Sequence, residues 1–309
     1  MATINVFTIW HNRAFAVGDS ISSLLEQSFT DFKLIAVDDG STDSTLQELL
    51  LMRSIAFSRG IDMEVLSQEN SGFTKSLIWA IKEHSDSEFV AIHGAGDISL
   101  HRRLELQVAE AERSKAVLVG CWVEVINQEG KVEKTRRVPQ QIRHNLNANA
   151  IGRPGTHGAA LIRRSAYNSC GGYRREFEYA QDADLWLRIV NEGKGVNCQE
   201  VLYQKVRFNN SVSQSKRKQA FQRMYSSLAI EMADSTTKRA HEIYRDLGRK
   251  TIVEVFPVRR LLRRLMKAGF NYLPLATVIL GEWLKFRFRQ VVSFFQFRAP
   301  NRTEPPWVL

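Results

Sequence analysis

Cysteine is scarce in this 309-residue chain, which has Cys121, Cys170 and Cys198 and no Cys-x-x-Cys pair. That pattern argues against a zinc knuckle or a disulfide framework and fits a reducing compartment. Long apolar runs are missing as well. In the segment 258–298 the longest charge-free stretch, Ala268 to Gly281, is 14 residues and contains Pro274. A membrane-spanning helix needs about 20. The opening MATINVFTIW has neither the basic lead nor the long apolar core of a signal peptide and reads as a first strand. Internal repeats and low-complexity segments are absent.

What is present is globular material. Hydrophobic residues at 44% and charged residues at 25% sit near the averages for soluble domains, which excludes wholesale disorder and a multi-span membrane protein. The length allows one large domain with an appendage. Charge is uneven: of the net +10, residues after 250 contribute +7, from 10 basic and 3 acidic side chains. A basic C-terminal segment points to an anionic surface, nucleic acid or the inner face of a membrane.

Strand and helix patterns alternate through the first hundred residues. INVFTIW (4–10), FKLIAVDDG (32–40), DMEVLSQ (62–68) and EFVAIHG (88–94) read as strands. SISSLLEQSF (20–29), TLQELLLMRSIAF (45–57) and FTKSLIWAIKEH (73–84) read as helices. Four such units in series predict a parallel sheet covered by helices. Ligands bind such sheets at the carboxyl ends of strands, which selects His11 and Asn12, Asp38 and Asp39, and Asp97. Further on, VLVGCWVEVI (117–126) and KVEKTRRV (131–138) flank NQEG, a hairpin signal. HGAALIRR (157–164) predicts a short strand, YAQDADLWLRIVNEG (179–193) a helix stopped by Gly193, and VLYQKVRF (201–208) a closing strand. Residues 214–233 and 237–250 read as helices.

The stretch IAVDDGSTDST (35–45) is the richest in chemistry. Two acids at a strand end, a glycine and hydroxyl residues supply a tight turn and carboxylate acceptors, with Ser41 or Asp43 able to cap the next helix. By itself it serves equally as a plain strand-to-helix turn.

Six stretches in order, SLLEQSFTDFKLIAVDDGSTDST, QENSGFTKSLIWAIKE, DISLHRRLELQ, GCWVEVINQEGKV, YAQDADLWLRI and VLYQKVRFNNSVS, resemble glycosyltransferase family 2 over roughly residues 4–220. The resemblance implies an α/β fold of GT-A type: a Rossmann-like, mostly parallel central sheet flanked by helices, with a C-terminal helical extension. It divides the chain into a glycosyltransferase domain, 1–212, and a basic helical region, 213–309. Within the first, 1–115 would bind the nucleotide-sugar and 116–212 the acceptor. The implied reaction is transfer of a sugar from a nucleotide diphosphate, a UDP-sugar, with inversion at the anomeric carbon. The acceptor would be a saccharide or lipid-linked glycan of cell-surface polysaccharide synthesis.

By the same resemblance, Asp39 accepts from the donor base, and His11 stands where the family usually has an aromatic packing on that base. Lys75 falls near the donor diphosphate, though it is also an ordinary solvated helix lysine. An inverting transfer needs a general base on the acceptor hydroxyl and a partner for the departing diphosphate. The family's base falls on Asp182; Gln181 replaces the Glu beside it, and Asp184 ranks second. His157 matches an acceptor-side histidine and would line the sugar pocket or bond a nearby carbonyl. Trp186 would stack on a sugar or fill the core.

One stretch departs from the family. Where the family has Asp-x-Asp-Asp before Ile-Ser-Leu, this chain has Gly94, Ala95, Gly96 and Asp97, and Phe208 replaces a histidine that faces the metal or diphosphate. Asp97 is then the remnant of a divalent-cation site, either a minimal Mn²⁺ or Mg²⁺ ligand helped by phosphates and water, or a vestige in a metal-independent enzyme. Arg102, Arg103, Lys75 and Arg207 are candidates to neutralise the diphosphate instead.

The segment 258–298 mixes Leu, Phe and Trp with arginines and suits an interfacial helix on an anionic membrane surface, or a helix docked on the catalytic domain. Nucleic acid is not expected, since no recognised module appears. The expected location is cytoplasmic, peripheral at the inner face of the cell membrane. A non-catalytic nucleotide-sugar or glycan-binding protein is the rival reading. A nucleotidyltransferase is disfavoured because WHNRAF, after the first strand, lacks a glycine-rich phosphate loop.

Overall fold

The computed structural model describes residues 2–84, 86–142 and 153–208, with helical positions Gln219, Gln222, Tyr225, Ser226 and Ala229 beyond them. The segment 258–298, expected to lie on a membrane surface, and the helix expected over 237–250 lie outside the described residues. Among those described, no helix is long and apolar enough to cross a membrane.

Strand β1 (Ile4–Trp10) is buried at every position, and it lies in parallel register between β2 (Phe32–Asp39) and β4 (Phe89–Ile92). A mostly apolar run, here interrupted only by buried Asn5 and Thr8, is what a strand covered on both faces favours. A 3-10 turn (Ala14–Ala16) and α1 (Val17–Leu25) follow β1, and α2 (Thr45–Ser58) follows β2. Then come β3 (Asp62–Gln68), parallel to β2, and α3 (Phe73–Glu83) before β4. This first half matches the predicted parallel order.

After β4 the chain forms β5 (Ile98–Ser99), α4 (Arg103–Ser114), β6 (Leu118–Ile126), β7 (Val132–Arg136) and β8 (Gln141–Ile142). A second 3-10 turn (His157–Ala159), β9 (Leu161–Arg163), α5 (Arg164–Ser169), α6 (Gln181–Ile189) and β10 (Gly195–Val206) complete the fold. The sheet order is β3-β2-β1-β4-β9-β6-β10-β5. Here the sheet turns mixed: β9 is antiparallel to both β4 and β6, whereas β6 and β10 are parallel. The predicted hairpin is β6–β7, whose turn is closed by Lys131 N–H donating to Asn127 Oδ1 at 2.8 Å.

The two faces of β1 and β2 bury alternate residues, as a period of two demands. Val6, Trp10 and Leu34 pack against Leu24 and Leu49 from α1 and α2. Phe7, Ile35 and Val37 face Leu77 of α3 in a second cluster that also holds Leu185, Trp186 and Ile189 of α6. Each such side chain contributes about 1.5–3 kcal/mol by leaving water.

Four predicted elements shift, the first being α1, which occupies Val17–Leu25 rather than 20–29. The strand expected over 157–164 is a strand only at Leu161–Arg163, because Gly158 packs directly on Tyr203 and Gly94 and turns the chain there. Helix α6 occupies Gln181–Ile189 rather than 179–193. Strand β10 starts earlier, at Gly195, with an irregularity between Cys198 and Tyr203, so that Tyr203 sits against Asp97.

Candidate active site

The carboxyl ends of β1 and β2 form the first part of the site. Asp39 is 2% exposed and organises the start of α3. Its Oδ1 accepts from Ser71 N–H at 2.9 Å, Gln68 Nε2 at 2.8 Å and Ser76 Oγ at 2.8 Å, while Oδ2 accepts from Gly72 N–H at 2.9 Å. Burial alone would raise its pKa, but these bonds to the ionised form, led by Ser71 N–H, hold it below the ordinary value. A lowered carboxylate pKa stabilises the fold above the unfolded value of 3.8, and that stability is lost as pH falls through the folded-state value. Asp39→Asn sets an amide against Gly72 N–H; unfolding free energy at pH 7 is expected to fall by about 2–3 kcal/mol, the deficit shrinking in urea titrations below about pH 4.

His11 is exposed beside this acid, its Nδ1 3.0 Å from the Asp39 carbonyl and 3.0 Å from Asn70 Nδ2. Asp38 turns to the opposite face of the sheet, where Ser41 N–H donates to it at 3.3 Å. The two capping candidates separate. Asp43 accepts from Thr45 N–H at the start of α2, and Ser41 Oγ instead accepts from Asn12 N–H. Lys75 is exposed in the first turn of α3.

Asp97 forms the centre of the second part and is not placed as an open metal ligand. It is 9% exposed. Tyr203 O–H donates to its Oδ2 at 2.9 Å and Val206 N–H to its Oδ1 at 3.0 Å. The Tyr203 oxygen in turn accepts from Gly94 N–H at 2.9 Å. Burial raises the Asp97 pKa to about 6, opposed by the charges of Lys205 and Arg13 and by these hydrogen bonds. Among the described residues, no group of three or more His, Cys, Asp or Glu could hold a metal ion.

Three arginine and lysine expectations need correction. Arg103 is fully buried, donating to Gln107, Ser99 and the Ile92 carbonyl, so it braces the interior beneath Tyr203. Arg102 pairs with Glu105 at 2.9 Å on the surface, and Arg207 pairs with Glu133. The cations whose charges act most on Asp97 are Lys205 and Arg13, which sequence reasoning missed. Arg13 Nη1 donates to the Ala95 carbonyl at 2.9 Å, and its guanidinium lies 4.9 Å from the centre of the Phe208 ring.

The acceptor side gathers around His157. Its Nε2 lies 2.6 Å from the Tyr173 hydroxyl, and Phe73, Tyr173 and Trp186 surround the ring edge-on at 5.6 to 6.0 Å. Burial lowers the His157 pKa, against the pull of the nearby Asp182 charge, and keeps the imidazole neutral. Trp186 is 4% exposed and packs behind His157, so it supports that ring rather than presenting a face to sugar. Asp182 is half-buried in the first turn of α6. Its Oδ1 accepts from Ala183 N–H at 2.9 Å, and Oδ2 has no hydrogen bond among the described residues. Asp184 points inward to Arg188 at 2.6 Å and Arg174 at 3.3 Å, a structural pair that removes it as second choice for base.

A mixed sheet that carries acids at its strand tips on one side and a half-buried carboxylate among aromatics on the other is the GT-A architecture of nucleotide-sugar glycosyltransferases. The chain belongs to glycosyltransferase family 2: the model described as "Glycosyl transferase family 2" matches residues 5–171. It is 35% identical over 197 residues to "Putative glycosyltransferase EpsE" of Bacillus subtilis (strain 168), covering 62% of this chain and 69% of that protein. It is 24% identical over 213 residues to the UDP-Glc:alpha-D-GlcNAc-diphosphoundecaprenol beta-1,3-glucosyltransferase WfgD of Escherichia coli, 68% of this chain and 79% of that one. Among solved structures, S. aureus TarS 1–349 in complex with UDP-GlcNAc superposes with a TM-score of 0.61 at 16% identity, covering 92% of this chain and 81% of that one. The chain is therefore a glycosyltransferase with the GT-A fold.

Proposed function

We propose that this enzyme transfers a sugar from a UDP-sugar to a hydroxyl of a glycan or lipid-linked acceptor, with inversion, using Asp182 as general base. The observation that carries this reading is that Asp182 Oδ2, which has no hydrogen bond among the described residues, belongs to a carboxylate close enough for its charge to act on His157, whose ring lies among aromatics. A carboxylate with an uncommitted oxygen can take the acceptor proton as the acceptor oxygen attacks the anomeric carbon. The electron pair of the breaking C–O bond leaves with UDP. Neutral His157, held by Tyr173, would hydrogen-bond the sugar without competing for that proton.

On the donor side, Asp39 Oδ2 carries a single hydrogen bond and keeps a lone pair for an N–H of the base, with His11 packing on the ring. Lys75 stands exposed near the same helix start for the phosphates. The halves 1–115 and 116–212 would hold donor and acceptor respectively. WfgD, by its printed name, uses UDP-Glc and a diphosphoundecaprenol-linked acceptor, which supports a lipid-linked substrate here. The basic segment 258–298 would then hold the enzyme at the anionic membrane surface where such acceptors lie.

The test is a panel of UDP-sugars with a sugar-diphosphoundecaprenol acceptor, reading UDP release and product configuration by NMR. One donor is expected to yield UDP and a β-linked product from its α-linked sugar. Retained configuration, or UDP bound but never turned over with any acceptor, would sink the reading.

A further inference from the structure

The family's divalent cation does not fit this site, and the reason is what has taken its place. Two acids are replaced by glycines, and the space is filled. A Cβ on Gly94 would collide with Asp97 Oδ2 and stand 3.3 Å from the Tyr203 hydroxyl. A Cβ on Gly96, whose φ is +87°, would stand 2.8 Å from the Phe208 ring. Acids could return at 94 or 96 only if Asp97, Tyr203 or Phe208 moved. The remaining carboxylate, Asp97, is buried with both oxygens bonded inside the fold. A cation seeking that carboxylate would have to break those bonds close to two positive side chains.

The substitutions are mutually dependent. Phe208 is 8% exposed, and it gives Arg13 a ring to lie over, at 4.9 Å. The same loop supplies the Ala95 carbonyl that fixes Arg13 Nη1 at 2.9 Å. Backbone N–H of Arg13 donates to Thr45 Oγ1 at 2.8 Å, which ties its segment to the start of α2. Among the described residues the guanidinium makes no other hydrogen bond, so most of its five donors remain for a ligand. Lys205 is half-buried on β10, and its charge acts on both Asp97 and His157.

We infer that Arg13 is the fixed cation that binds and neutralises the donor diphosphate, so that this glycosyltransferase works without a divalent metal. The inference rests on the UDP-sugar reading above. When the sugar C1–O bond breaks, the electron pair goes to the β-phosphate of UDP, and the guanidinium stabilises that charge where a metal would otherwise do so.

Calorimetry with UDP and with uridine on the full chain tests it, in EDTA and then in Mn²⁺. The expected UDP affinity in EDTA changes by less than about threefold on adding Mn²⁺. Arg13→Ala should weaken UDP binding by about 10- to 100-fold while leaving uridine affinity unchanged. Arg13→Lys should recover part of the loss, since it restores charge without the planar fork. UDP binding that needs Mn²⁺ overturns the inference. So does an equal loss of uridine and UDP affinity in Arg13→Ala, which would make Arg13 structural. Failure to bind UDP or uridine in either buffer would instead overturn the UDP-sugar reading, and this inference with it.

Discussion

Asp182→Asn is expected to lower kcat by about 10²- to 10⁴-fold while leaving UDP affinity and the unfolding midpoint nearly unchanged. The amide keeps the shape and can still accept from Ala183 N–H, but it cannot take the acceptor proton. Because the donor phosphates are assigned to residues on other elements, donor affinity should not follow the loss. Steady-state UDP release with saturating acceptor, beside calorimetry with UDP, separates these. A variant that keeps more than about a tenth of wild-type kcat would remove Asp182 as the base. Asp184→Asn should behave oppositely: Asp184 is buried and pairs with Arg174 and Arg188, so its loss appears chiefly as instability.

Gly158→Ala is expected to damage both halves of the site at once. The added methyl would run into the Tyr203 hydroxyl and stand 2.9 Å from Gly94 N. Those are the groups that hold Asp97, through a chain from Gly94 N–H to the Tyr203 oxygen and from Tyr203 O–H to the carboxylate. Overpacking at such a point costs about 1–3 kcal/mol, and displacing Tyr203 would also leave a buried carboxylate short of a donor. We expect a fall in the urea midpoint together with weaker UDP binding. The double variant Gly158→Ala/Tyr203→Phe removes the oxygen that the methyl meets, so part of the steric loss should return and the two changes should be non-additive. Strict additivity, or a neutral Gly158→Ala, would contradict this contact.

Much of this protein could be read from local windows. The buried strand Ile4–Trp10 was legible because five of its seven residues are apolar, as a strand covered on both faces favours, and the hairpin after Ile126 because Asn127 and Gly130 are turn residues. Motif order singled out Asp39, which stands at the end of β2, and Asp182, in the first turn of α6. Windows failed where charge and burial depend on partners far along the chain. Arg103 and Arg102 are neighbours in a basic helix start, yet one is wholly interior and the other on the surface. Nothing in the dipeptide distinguishes them; a helix turns about 100° per residue, and the placement of α4 against the sheet decides which side faces in. Trp186 was ambiguous for the same reason.

The sequence by itself determined the order of strands and helices, the family, and the loss of two acids and a histidine from the metal motif. Only the tertiary structure decided what surrounds the acid that remains. Arg13 reaches Ala95 and Phe208, which lie far from it in sequence, and Tyr203 meets Asp97 across a strand pairing that no local pattern encodes. Electrostatic effects act over a few ångströms in space, without regard to separation along the chain, so which cation stands beside a carboxylate is settled by packing.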